Sequence, residues 1–170
     1  MHSNLPHITT KGYYQFVTFR TKDSLDEYIS KTLGSSLSNS KKQYQIDNYL
    51  DGSPNGSYLN GVVLETIKEY IIKQDKTIFD LISFAIMPNH IHLLFKETIK
   101  LSESMRLLKG GSSFLINRVL GRKGQFWAND YYDKTIRDEK HFRVVYEYIS
   151  NNPIKAGLRD SQNRVYGIYD

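Results

Sequence analysis

Two apolar runs, "TIFDLISFAIM" (77–87) and "HIHLLFK" (90–96), joined through "MPN", leave this chain few ways to fold. Both are short and rich in β-branched and aromatic residues, so each reads as a strand. Pro88 and Asn89 stop the first run, and a connection this tight predicts an antiparallel pair. Side chains alternate along a strand, which places His90, His92 and Leu94 on one face and Ile91, Leu93 and Phe95 on the other. The second face already has the residues a core needs. The two imidazoles either occupy the wetter face as ordinary polar residues or converge on one divalent ion. The latter requires a further oxygen donor and an open coordination position.

The remaining elements fall around this pair. "YYQFVTFR" (13–20) predicts a strand, and "VVLETIKEYII" (62–72) sets Val63, Ile67, Tyr70 and Ile71 at helical spacing. Residues 21–60 contain the Ser, Gly and Asn clusters "GSSLSNSKK" and "DGSPNGSYLNG", and are expected to form a flexible surface insertion within one domain spanning 1–170. Residues 101–120 predict a helix that Gly110 and Gly111 bend or break. "YYDKTI" follows as an extended segment, and "EKHFRVVYEYISN" (139–151) as a helix closed by Pro153. The order strand, helix, strand, strand, helix, strand, helix suits an α+β fold, a ferredoxin-like antiparallel sheet with packed helices.

Absence of cysteine excludes disulfides, thiolate metal sites and cysteine nucleophiles, so any metal binds through nitrogen and oxygen. No leader-like apolar region opens the chain and no run approaches the ~18 apolar residues of a membrane span, so a cytoplasmic protein without membrane contact is expected. A net charge of +5 favours a polyanionic partner. Arg106, Lys109, Arg118, Arg122 and Lys123 lie in a segment without acidic residues, followed by Phe126 and Trp127. These are candidates for backbone contacts and base stacking on DNA, or else a solvated helix face and a core tryptophan.

In the last helix Phe142, Val145 and Ile149 form the stripe that packs on the sheet, with Tyr148 and Asn152 one turn apart at its edge. Both can aim at the same place on the sheet. Tyr148 also suits a core position with its hydroxyl at the rim, and Asn152 a helix cap.

"MPNHIHLLF", "LLKGGSS", "GQFWANDYYDKTIRDEKHF" and "YISNNPIKAGL", in this order, resemble the REP-associated tyrosine transposases, single-tyrosine members of the HUH class, over roughly residues 60–160. The resemblance implies an HUH-type palm fold, His90 and His92 as metal ligands, Asn152 as the amide completing the site, and Tyr148 as nucleophile. Tyr146, Tyr131 and Tyr132 are the rival nucleophiles; Tyr146 lies about 160° round the helix from Tyr148. The implied activity is cleavage and joining of single-stranded, hairpin-containing DNA through a 5′-phosphotyrosine, with Mg²⁺ or Mn²⁺ as cofactor, by a monomer or homodimer. A cleavage-inactive, host-adapted hairpin-binding protein is the alternative.

Overall fold

The computed structural model describes residues 13–170; the N-terminal stretch read as lacking a leader lies, up to residue 12, outside the described residues. Ten principal elements follow in order: β1 (Tyr14–Arg20), α1 (Glu27–Leu33), α2 (Asn39–Gly52), α3 (Gly61–Lys73), β2 (Phe79–Ile86), β3 (His90–Glu97), α4 (Leu101–Leu120), β4 (Tyr132–Thr135), α5 (Glu139–Lys155) and β5 (Val165–Gly167). The strands form one antiparallel sheet in the order β4-β1-β3-β2-β5. This is the expected α+β architecture.

Period-two alternation divides the core in two. Val17, Phe19, Ile91, Leu93 and Phe95 pack on one side of the sheet against Val63, Leu64, Ile67 and Ile71 of α3 and Met105, Leu108 and Ile116 of α4. Phe16, Ala85 and Leu94 face the other side, against Phe142, Val145, Tyr146 and Ile149 of α5. The expected stripe of the last helix is therefore the one that docks. His90 and His92 share the α5 face with Leu94, because β1 and β3 pair in a register that sets Thr18 opposite His92 and Arg20 opposite His90.

Two helices depart from the sequence reading. Helix α4 runs unbroken through Gly110 and Gly111. A Cβ on Gly111 would lie 1.9 Å from the Tyr70 hydroxyl, so the missing side chain allows α3 and α4 to approach closely instead of breaking the helix. Helix α5 carries Pro153 inside its last turn and ends at Lys155, beyond the expected stop. Proline removes the N–H that would have bonded the Ile149 carbonyl, yet the helix continues past it, with Ala156 N donating to the Asn152 carbonyl and Leu158 N to the Pro153 carbonyl.

Residues 21–60 contain the two helices absent from the sequence reading. Asp26 caps α1 by accepting from Ile29 N, and Ser38 caps α2 by accepting from Lys41 N. Ile29, Ile46 and Leu50 form a small core of their own, flanked by Tyr49. The insertion thus lies folded on the α5 side of the sheet.

Arg164, buried after α5, joins these parts: Nη1 donates to the carbonyls of Leu59 and Ile86, Nη2 to Asn60 Oδ1 and Nε to Asp160 Oδ1. Arg164→Ala leaves buried carbonyls unpaired and should lower the unfolding free energy by roughly 3 kcal/mol, measured as a reduced urea midpoint at unchanged slope. An unchanged midpoint would show that water replaces the guanidinium at no cost.

Candidate metal and tyrosine site

Strand β3 delivers both imidazoles to one point. The rings of His90 and His92 lie 4.9 Å apart at 89°, and both side chains are fully buried. Each Nδ1 is held from behind, that of His90 by Asn89 Oδ1 at 2.7 Å and that of His92 by Thr18 Oγ1 at 2.8 Å. Neither Nε2 has a hydrogen-bond partner.

Helix α2 contributes what the sequence reading lacked, two carboxylates one turn apart. Asp47 accepts from Gln43 Nε2 at 2.7 Å through Oδ1 and from the Tyr148 hydroxyl at 2.9 Å through Oδ2. Asp51 Oδ1 lies 3.8 Å from His90 Nε2, too far for a hydrogen bond, and is buried without a partner. Donor atoms of Asp47, His90 and His92 all fall within 4.8 Å of one another. From α5, Tyr148 sets its ring 5.4 Å from that of His92, and Asn152, one turn on, is buried with Oδ1 unpartnered.

His90 Nε2, His92 Nε2, Asp51 Oδ1 and Asn152 Oδ1 are therefore four buried polar atoms without partners. Such atoms are rare because each loses its hydration for no return. With its ring hydrogen on Nδ1 each neutral imidazole offers Nε2 as an electron-pair donor beside the two oxygens, and burial keeps the rings neutral: it pushes His92 down to about 3, helped by the charge of Lys155, and His90 well below its ordinary value, helped by His92. Burial raises Asp47 to about 7, against the hydrogen bonds from Gln43 and Tyr148, and Asp51 to about 6. The Tyr148 phenol is pushed up by burial first and by the Asp47 charge second, with the Asn152 amide opposing. Imidazole nitrogen and carboxylate oxygen gathered within 4.8 Å of one another, in His90, His92 and Asp47, fit a divalent cation.

Tyr148 also lines a cleft of about 320 Å³ whose walls include Phe16, Asp47, Tyr132, Lys134, Arg137 and His141. Of the rival tyrosines only Tyr132 shares this cleft, and all three have other contacts. The Tyr146 hydroxyl donates to Asp170 and accepts from Tyr169 N on the C-terminal segment, Tyr132 shares a hydrogen bond with Ser40, and Tyr131 lies under the Lys109 ammonium.

The residues expected to hold DNA are not gathered around Tyr148. Trp127 is a core residue, a correction to its reading as a stacking platform: its ring packs edge-on to Phe19 and Phe126 and its Nε1 donates to Ser112, leaving no face for a base. Arg106 pairs with Glu103, Lys109 donates to the carbonyls of Ala128 and Asn129, and Arg122 pairs with Asp23 over the Tyr58 ring. Arg118 lies over Phe114, and Lys123 is exposed. Lys134, Arg137 and His141 were missed; the signal available was their place just before and within the first turn of the tyrosine helix.

The family model for IS200-like transposases matches residues 55–152, more than half the chain. Two Haemophilus influenzae proteins are similar in sequence. One, uncharacterised, is 33% identical over 94 residues, covering 42% of this chain and 52% of its own. The other, provisionally named a REP-associated tyrosine transposase, is 27% identical over 113 residues, covering 59% of this chain and 64% of its own. The chain thus spans between half and two-thirds of the length of the curated relatives it matches. Among solved structures, a REP-associated tyrosine transposase bound to a REP hairpin superposes with a TM-score of 0.51 at 20% identity, over 91% of this chain and 74% of that one. A protein of Deinococcus radiodurans R1, provisionally named a transposase, superposes with a TM-score of 0.50 at 15% identity, over 85% and 93%. At these identities the superpositions establish a shared fold.

Asp47 supplies a pH test. Its folded-state value of about 7 lies above its ordinary 3.8, so stability present below 3.8 is lost as pH rises through 7, at a limiting cost on the order of 4 kcal/mol. Asp47→Asn should therefore melt higher than the native chain near pH 8 in chelator, with the gap closing towards pH 4. Equal melting at both pH values would mean that Asp47 is hydrated.

Proposed function

Because the chain belongs to the IS200-like transposase family, we propose that it cleaves and rejoins single-stranded DNA beside a hairpin, with Tyr148 as nucleophile and a divalent cation, Mg²⁺ or Mn²⁺, at His90, His92 and Asn152. The observation that carries this reading is the placement of Tyr148 against the Asp47, His90 and His92 cluster, its hydroxyl on Asp47 and its ring 5.4 Å from that of His92. Asp47 is added to the expected ligand set. The relative solved with a REP hairpin supports a hairpin as the DNA element.

A cation in this cluster supplies charge compensation for the phosphate under attack. The chain's own residues do the rest. Burial keeps the Tyr148 phenol protonated at neutral pH, so its proton must leave as the oxygen attacks, and the hydrogen-bonded Asp47 Oδ2 is placed to accept it. The phenolic oxygen forms a bond to phosphorus, the bond from phosphorus to the 3′ oxygen breaks, and the 3′ end leaves as a hydroxyl after taking up a proton. The DNA bond is conserved in the phosphotyrosine, so the reverse attack by another 3′ hydroxyl rejoins strands without a nucleotide cofactor. Lys134 and Arg137 at the cleft offer positive charge to the strand as it reaches Tyr148. The exposed cations Arg106, Arg118 and Lys123 serve phosphates farther along, with smaller shares from the engaged Lys109 and Arg122.

Incubated with hairpin single-stranded DNA and Mn²⁺, the native chain should form a covalent adduct at the 5′ side of a break, seen as a denaturation-resistant band shift. Tyr148→Phe should abolish the adduct with hairpin binding retained. Adducts that survive in Tyr148→Phe but vanish in Tyr132→Phe would reassign the nucleophile, and native protein that binds hairpins without ever cutting them would favour a binding-only protein.

A further inference from the structure

One carboxylate beside the imidazoles has no part in the cleavage chemistry. Asp51 follows Asp47 by one turn of α2, and its side chain is 14% exposed. Its Oδ1 is buried without a partner and lies 3.8 Å from His90 Nε2, itself unpartnered. The ring hydrogen of His90 is on Nδ1, toward Asn89 Oδ1. Two electron-pair donors therefore face one another with no hydrogen between them, and both have given up hydration for nothing in return.

The surroundings offer no other use for the pair. Burial keeps His90 neutral, so no ion pair offsets the contact. Lys155, whose charge reaches Asp51, gives its hydrogen bond to Asn48 Oδ1. The contact is also held in place: carbonyls on both sides of Asp51, those of Leu50, Ser53 and Asn55, accept from the amide of Asn89, the residue that orients the His90 ring. One side chain thus sets the separation of carboxylate and imidazole.

A span of 3.8 Å is too long for a hydrogen bond and suits two ligands of one ion. Ligands about 2.1 Å from a divalent cation stand roughly 3.0 Å apart at right angles and roughly 4.2 Å apart when opposite. Charge favours the same assignment. Two neutral imidazoles and the Asp47 carboxylate leave a buried dication with one positive charge uncompensated, and a second carboxylate cancels it. The number of charged ligands is one of the main controls on cation affinity.

We propose that Asp51 is a further ligand of the cation held by Asp47, His90 and His92, so that the cation is bound before DNA arrives and ties the end of helix α2 to strand β3. The proposal rests on the metal reading above. It gives the insertion between β1 and α3 a task, since both carboxylates of the site come from it.

The test is titration of Mn²⁺ into the full chain without DNA, the free ion being followed by its electron paramagnetic resonance signal, with amide hydrogen exchange read by mass spectrometry in Mn²⁺ and in chelator. The native chain should bind one ion, and exchange over residues 47–55 should slow about ten-fold on loading. Asp51→Asn, whose amide can donate to His90 Nε2 and so preserve the packing, should bind Mn²⁺ about ten-fold more weakly. Glu69→Gln, which removes the same charge from the exposed face of α3, should bind as the native chain does. Native affinity in Asp51→Asn, an equal loss in both variants, or unchanged exchange over 47–55 in the loaded native chain overturns the assignment; the exchange measurement needs no variant, so misfolding could not mimic it. Native protein that takes up Mn²⁺ only together with DNA also overturns it and leaves the cleavage reading intact. Weakened Mn²⁺ binding in Asp51→Asn, with no covalent adduct ever formed by native protein, sinks the cleavage reading and leaves Asp51 a ligand. Native affinity in His92→Ala places the ion elsewhere and overturns both the assignment and the metal site beneath it.

Discussion

Helix α2 removes two imidazoles from water, and the chemistry of the site follows from that burial. On an open sheet face His90 and His92 would be hydrated and would protonate near their ordinary value of 6.5; beneath α2 they stay neutral, with electron pairs directed at one another's surroundings. The same helix introduces Asp47 and Asp51 into that environment, where burial resists their ionisation. Polar groups are thereby held close with their charges suppressed. A divalent cation reverses this balance, because ionised carboxylates and neutral imidazoles are the forms it binds.

The helix is attached largely by polar contacts. Its own apolar cluster, Ile29, Ile46 and Leu50, is small and separate from the two cores that clamp the sheet. Tyr148 to Asp47, Tyr132 to Ser40 and Lys155 to Asn48 join it to the palm. The two exposed pairs, Tyr132 with Ser40 and Lys155 with Asn48, contribute little each, in contrast to the Phe and Ile packing beneath α3 and α4.

Much of the architecture was legible from residue order because the sheet is written in local patterns. The alternation in 77–96 and the stripe of Phe142, Val145 and Ile149 each report one burial face. Helix α2 was not legible: Ile46 and Leu50 are its only buried apolar residues, and the positions that complete its inward face are Asp47 and Asp51, which read as solvent-facing. The partnership of Tyr148 with Asp47 spans 101 positions, beyond any spacing rule. Trp127 failed for a related reason, since an indole after a basic turn looks the same in sequence whether it meets a base or Phe19. The helix carrying Tyr148 and Asn152, by contrast, was placed by its own periodicity, and only its end was misjudged at Pro153.

Asn89, the residue that ends the turn between β2 and β3, has a side-chain amide whose nitrogen is gripped by the carbonyls of Leu50, Ser53 and Asn55 at the end of α2, at 3.0, 3.2 and 3.4 Å. Three acceptors on the nitrogen forbid the amide from rotating by half a turn, so its oxygen must be the atom facing His90. That oxygen can only accept, which assigns the ring hydrogen of His90 to Nδ1 and leaves the lone pair on Nε2. The seating of a helix end is thus converted into the choice of an imidazole tautomer: a loosened α2 terminus would free the amide, and with it the hydrogen, before any donor atom had moved.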